Sequence, residues 1–176
     1  VSEEAAKKYR VFLKTWQPTI NSLQCDQFVN GALISSWYAG LRNKGTCRLK
    51  DVVLENKNQL MFRYTSNYDG GKWFIYLDSL NGQLVKTIPL SNTKGDWKVV
   101  STAFPNVRGK HNLYFKYYSP ALKTADQTGV QFEWFQFDQT FPGKGRPGYE
   151  IAYQDFNYLM QAKVDATPIM FENNGE

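Results

Sequence analysis

Period two is the feature that most constrains this chain. The runs "NQLMFRYTS" (58–66), "KWFIYLD" (72–78), "WKVVSTAF" (97–104), "HNLYFKYY" (111–118) and "VQFEWFQFD" (130–138) alternate apolar and polar residues over strand length. Successive side chains of a strand point to opposite faces, so runs of this kind form strands that bury one face. Turn signals separate them: "DGG" at 69–71, "NG" at 81–82, "TKGD" at 93–96, "RGK" at 108–110, and a longer loop from Pro120 to Gly129. Short strands at this spacing predict an all-β fold, a β-sandwich over residues 20–138.

The flanks read differently. Ser2 followed by Glu3 and Glu4 caps a short helical pattern with Tyr9, Phe12, Leu13 and Trp16 at helical spacing, which predicts an N-terminal helical segment over 1–19, stopped at Pro18. After the sandwich, "PGKGRPG" (142–148) holds two prolines and three glycines, which neither strand nor helix continues through. The stretch "YEIAYQDFNYLMQAKV" then has Ile151, Phe156, Leu159 and Met160 on one helical face. Residues 139–176 are therefore expected to be a linker and helix, leading to another domain.

Charge narrows the partners. The chain carries 21 basic and 16 acidic residues, a net +5, with no Lys/Arg run of the kind that tracks phosphates, so nucleic acid is not an expected partner. The apolar stretches are far shorter than a membrane span, and "VSEEAAKKYR" lacks the hydrophobic segment of a signal peptide, so a signal, if one existed, was removed before this chain. Cys25 and Cys47 have no companion Cys or His at zinc-site spacing, and His111 is the single histidine, inside a strand run. The two cysteines read either as a disulfide or as two buried thiols.

No nucleophile elbow, phosphate-cradling glycine loop, paired histidines or Cys/His pair is present. Asp69, Asp78, Asp96, Glu133 and Asp138 are the acids from which a glycosidase-type pair would have to come, against the alternative that strand-flanking acids are solvated turn residues. What the chain does carry is aromatic surface, 16% of its residues. Flat aromatic faces stack on the C–H faces of pyranose rings, with nearby amides, acids or guanidinium groups pairing the hydroxyls. Trp37 and Tyr38 lie in "ISSWYAG", read as a non-strand context; Tyr68 lies in "SNYDGGKW"; Trp97 follows the "TKGD" turn. The alternative for each is a ring that covers the end of the sandwich.

In order and spacing, "LQCDQF" (23–28), "NQLMFRYTS", "FIYLDSLNGQLVKTIPLSNTKGDWKVVST" (74–102), "VRGKHNLYFKYY" (107–118) and "GVQFEWFQFD" (129–138) resemble a family 6 carbohydrate-binding module. The resemblance covers about residues 20–138, and "GKHNLYF" beside "NTKGDW" is its most specific part. It implies a jelly-roll, galactose-binding-like sandwich, and the short helices expected at both termini lie outside its pattern. It also implies non-catalytic binding of a polysaccharide or oligosaccharide, beside a neighbouring catalytic domain, in a bacterial protein that is secreted, periplasmic or at the cell surface. Carried over position by position, Trp97 is the stacking ring of the family's loop-end cleft, Gln131 a hydroxyl partner where the family has Asn, and Tyr38 the nearest candidate for the second ring. A second family cleft on the concave face falls near Trp73, Tyr76 and Trp134, whose period-two placement reads as core. The family's structural calcium falls on Gln24, Asp26 and Asp138, with an amide in place of one acid. A β-sandwich enzyme and a protein-docking domain are the rival readings.

Overall fold

The computed structural model describes residues 20–139. The expected helices over 1–19 and 139–176 lie, apart from Gln139, outside these residues. Among the described residues there is no α-helix; nine strands and one 3-10 turn, Ser22–Gln24, make up the regular structure. The strands are β1 (Ile20–Asn21), β2 (Cys25–Ile34), β3 (Tyr38–Val53), β4 (Gln59–Thr65), β5 (Gly71–Leu77), β6 (Leu84–Leu90), β7 (Lys98–Ala103), β8 (Lys110–Tyr118) and β9 (Thr128–Asp138). The alternating runs thus become β4, β5, β7, β8 and β9, each within two residues of its predicted bounds.

All neighbours pair antiparallel, in the order β6-β5-β8-β3-β9-β4-β7, with β2 beside β3 and β1 beside β9. The 16-residue β3 joins the two halves of this curled sheet. Its first residues, Ala39 to Arg42, pair with β9, whereas Thr46 to Val53 pair with β8. The halves fold over one another, because Trp73 of β5 lies 4.9 Å from Phe62 of β4 and 4.5 Å from Phe132 of β9, strands that are not its sheet neighbours. This is a sandwich, and Trp73, fully buried, is the ring that joins its layers. The core placement read for Trp73 holds.

β9 departs from strict alternation. In its pairing with β4 the register slips between Arg63 and Tyr64, which leaves Glu133 as an extra residue on β9. Val130 and Phe132 face the core before the slip, Phe135 and Phe137 after it. Trp134, which regular alternation would turn inward, is buried outside the core cluster.

A second departure is the β2–β3 hairpin. The stretch "ISSWYAG" is a hairpin tip, with Ser35 and Ser36 at φ 53° and 54°, and Tyr38 opens β3 rather than lying in a loop. Left-handed backbone at a hairpin tip usually announces itself by Asn or Gly, and Ser-Ser gives no such signal. Cys25 and Cys47, on adjacent strands, are buried free thiols. Asp26 pairs with Arg48, so the two cysteines are diagonal neighbours whose side chains meet. The Cys47 thiol is pushed up by its hydrogen bond with the Cys25 thiol and by burial.

Candidate functional site

Trp97 stands one residue before Lys98, which pairs with Tyr64. Thr65, the next residue of β4, pairs with Gln131 of β9, and Gln131 pairs in turn with Gly40 of β3. Four adjacent strands, β7, β4, β9 and β3, therefore bring Trp97, Thr65, Gln131 and the start of β3 to one end of the sheet.

The turn that carries Trp97 is bolted to that end. Lys94 and Gly95 sit at φ 55° and 85°, and the Asp96 N–H donates to Thr93 O at 3.1 Å. Thr93 in turn holds β4: its N–H donates to Ser66 O at 2.7 Å, and its Oγ1 accepts the Ser66 N–H at 3.0 Å and lies 3.1 Å from Thr65 Oγ1. Ser66 Oγ donates to Gly129 O at 2.6 Å, which closes the chain of contacts onto β9.

The ring of Trp97 packs against Tyr38, with centroids 4.8 Å apart and planes at 44°. Arg63 sets its guanidinium carbon 5.1 Å from the Trp97 ring, a cation–π contact, and forms an ion pair with the buried Glu133. Burial pushes the Glu133 carboxyl up. Arg63 pulls it back, as does the indole N–H of Trp37, which is within electrostatic reach though not at hydrogen-bond geometry. Tyr38 is buried, and its phenol is pushed up to about 12 by burial and then by the Glu133 charge, opposed by Arg63. Two rings that clasp a sugar between them stand roughly 7–8 Å apart, twice the carbon contact distance. The Tyr38–Trp97 pair is closed to that spacing, and what it offers is the part-exposed surface of Trp97, braced from behind.

Beside it runs a small groove lined by Thr65, Ser66, Asn67, Thr128 and Gln131, with the backbone of Gly129 and Val130. It is open and polar. Gly129 is required here, because a Cβ would fall 2.2 Å from the Tyr117 ring. Of the five aromatic and amide residues expected at the site, Trp97, Tyr38 and Gln131 come together on adjoining strands, and Trp37 is next to Tyr38 at the hairpin tip. Tyr68, in the β4–β5 loop, packs part-buried against the core, its N–H 3.3 Å from Ser66 Oγ. Arg63 and Thr65 were not among the expected residues; their signal was the outward phase of "FRYT", with Phe62 and Tyr64 inward.

The calcium set does not fit as it stands. Both carboxylate oxygens of Asp26 accept from the Arg48 guanidinium, at 2.8 and 2.6 Å, which holds Asp26 below the usual carboxylate range. Gln24 is exposed at the end of the 3-10 turn, and Asp138, at the far end of β9, accepts from Gln136. Calcium takes six to eight oxygens with several carboxylates, and among the described residues no three Asp, Glu, His or Cys side chains converge. Of the other acids, Asp78 faces His111 and Glu133 faces Arg63.

The fold has known counterparts. The sequence model described as carbohydrate binding module (family 6) matches residues 40–139. No curated protein sequence matches the chain. The fold is similar to that of CsCBM6-3 from Clostridium stercorarium, solved with cellobiose, at 17% identity and a TM-score of 0.58 over 70% of this chain and 94% of that one. A family 6 module from Clostridium cellulolyticum, solved with xylose, gives 20% identity and a TM-score of 0.57 over 69% of this chain and 97% of that one. A family 43 arabinoxylan arabinofuranohydrolase from Bacillus subtilis, solved with cellotetraose, gives 22% identity and a TM-score of 0.52 over 69% of this chain but only 24% of that one. Likeness at such identities speaks to the fold; the family model, which spans more than half of the chain, settles the family, and this protein belongs to family 6 of the carbohydrate-binding modules.

Proposed function

We propose that this protein binds a polysaccharide or oligosaccharide without cleaving it, at the end of the sheet where Trp97, Gln131, Thr65 and Asn67 meet. The observation that carries the reading is the braced Trp97 ring beside an open polar groove. Trp97 supplies a stacking face, and Gln131, Thr65 and Asn67 supply hydroxyl partners along the groove. One aromatic platform adds on the order of 1 kcal/mol, which places affinity for a short oligosaccharide at about micromolar to millimolar. Weak binding of this kind serves to hold a linked enzyme near its substrate by raising effective concentration. The match inside the Bacillus subtilis hydrolase, where the similar region is a minor part of a longer chain, supports a neighbouring catalytic domain. A glycan partner of that kind also supports a secreted, periplasmic or surface location.

Retention on insoluble and gel-embedded polysaccharides tests the reading, with Trp97→Ala beside the wild type and released reducing ends measured in parallel. Retention by the wild type, weakened about tenfold or more in the variant and with no sugar release, is expected. Sugar release would favour an enzyme. No retention by any glycan from a folded protein would favour a docking domain.

A further inference from the structure

This inference rests on the glycan-binding reading and extends it to the class of sugar. A second cavity, of about 270 Å3, opens between the β2–β3 hairpin and the start of β9, with Asn30, Gly31, Ile34, Gly40, Arg42 and Thr128 in its lining. Thr128 also lines the polar groove beside Trp97, so the two hollows meet at that residue. The size approaches the lower end of ligand pockets, roughly 300 Å3.

Two glycines, Gly31 and Gly40, line this cavity. A Cβ on Gly31 would fall 2.7 Å from Gly40 O, and one on Gly40 would fall 2.4 Å from Ile34 Cγ1. Gly31 seats against the Gly40 carbonyl and Gly40 beneath the Ile34 side chain, so neither position has room for a side chain of its own.

Its charge is one-sided. Arg42 is the single charged residue lining either hollow, and no carboxylate lines them. Arg42 is exposed and sits across from Thr128 beyond a register slip at Leu41, and its guanidinium makes no ion pair or hydrogen bond among the described residues. The acid that feels its charge is Asp126, which lies outside the lining and already accepts from Thr124 Oγ1 at 2.6 Å. Asn30 is fixed by its own donation to Asn43 O at 2.9 Å. A guanidinium is a planar fork of donors that stays charged at every working pH and matches two oxygens of one anion. We infer that the Arg42 pocket is a subsite for an acidic sugar, one that carries a carboxylate or a sulfate ester, adjoining the Trp97 groove along the same glycan.

The test is calorimetric titration of wild type, Arg42→Gln and Trp97→Ala with three sets of probes of similar length. These are neutral xylo- and cello-oligosaccharides, xylo-oligosaccharides bearing glucuronate together with oligogalacturonate, and sulfated galacto-oligosaccharides. Melting temperatures of each variant confirm the fold. The readout is the ratio of acidic to neutral affinity. A ratio of about ten or more in the wild type at low salt, falling towards one in Arg42→Gln and at high salt, supports the subsite. Preference confined to the carboxylated or to the sulfated probes identifies which anion it reads. A ratio near one in the wild type, or a preference that survives Arg42→Gln, overturns the subsite and leaves neutral glycan binding standing. Binding to no probe overturns the binding reading and the subsite with it.

Discussion

At the scale of single residues, His111 shows how a contact converts to a pH dependence. Its Nδ1 lies 2.8 Å from Asp78 Oδ2 and its Nε2 lies 2.7 Å from Arg108 O, so both ring nitrogens face acceptors and the doubly protonated ring satisfies both. The Asp78 carboxylate, then the Arg108 carbonyl, raise the His111 pKa above its usual 6.5, and His111 in turn lowers that of Asp78. A raised histidine stabilises the fold fully below the unfolded value, near pH 6.5, and the contribution fades as pH climbs through the folded value; the lowered Asp78 contributes above about pH 3.8 and fades below it. Both are present between about pH 4 and 6.5. The pair is part-exposed, so its worth is a few tenths to about 1 kcal/mol. Urea unfolding at pH 5.5 and pH 8.5 is expected to show a drop in stability that His111→Gln makes smaller. His111 read only as a strand residue in the sequence, because its partner arrives from a turn 33 positions away.

Elements tell a similar story of partial legibility. Period two located five strands, whereas the β2–β3 hairpin stayed hidden: β2 carries left-handed residues at Gln27 and Asn30 and is broken by register shifts, so its alternation is blurred. The slip in β9 was written in the sequence as adjacent Trp134 and Phe135, where the apolar phase moves from even to odd positions. That slip places Glu133 against Arg63. Because burial raises the folded pKa of Glu133, the native state binds more protons than the unfolded chain as pH rises from about 4.5, and stability falls with pH over that interval. Removing Arg63 leaves a buried carboxylate unpaired, a loss of about 3–5 kcal/mol for a pair of this kind. Arg63→Ala is therefore expected to lower the melting temperature at pH 7 and to recover part of the loss on acidification, followed by scanning calorimetry at several pH values. The aromatic half of the site was legible because Trp97 follows a turn motif. Its brace was not, since Arg63 and Glu133 are far apart in sequence and meet only through the β4–β9 register.

For the whole molecule, the sandwich depends on rings that cross between its layers. Trp73 touches Phe62, Phe115, Phe132 and Phe135, from three strands. Replacing a buried ring of this size by Ala costs about 3–5 kcal/mol, a large share of the 5–15 kcal/mol that a domain commands. Trp73→Ala is expected to unfold far more readily in denaturant, or to be recovered only in inclusion bodies, whereas Trp73→Phe retains part of the packing and melts between the two. The start of the sandwich also lies beside its end. Ile20 pairs with Phe135, three residues before Asp138, so the strands that begin and finish the fold are about one strand spacing, 4.7–4.9 Å, apart. A fold whose entrance and exit coincide behaves as a bead on a loop: a host chain could be opened at one surface turn, receive these residues, and resume its course without stretching. Such a geometry suits insertion within a host chain as well as attachment at its end.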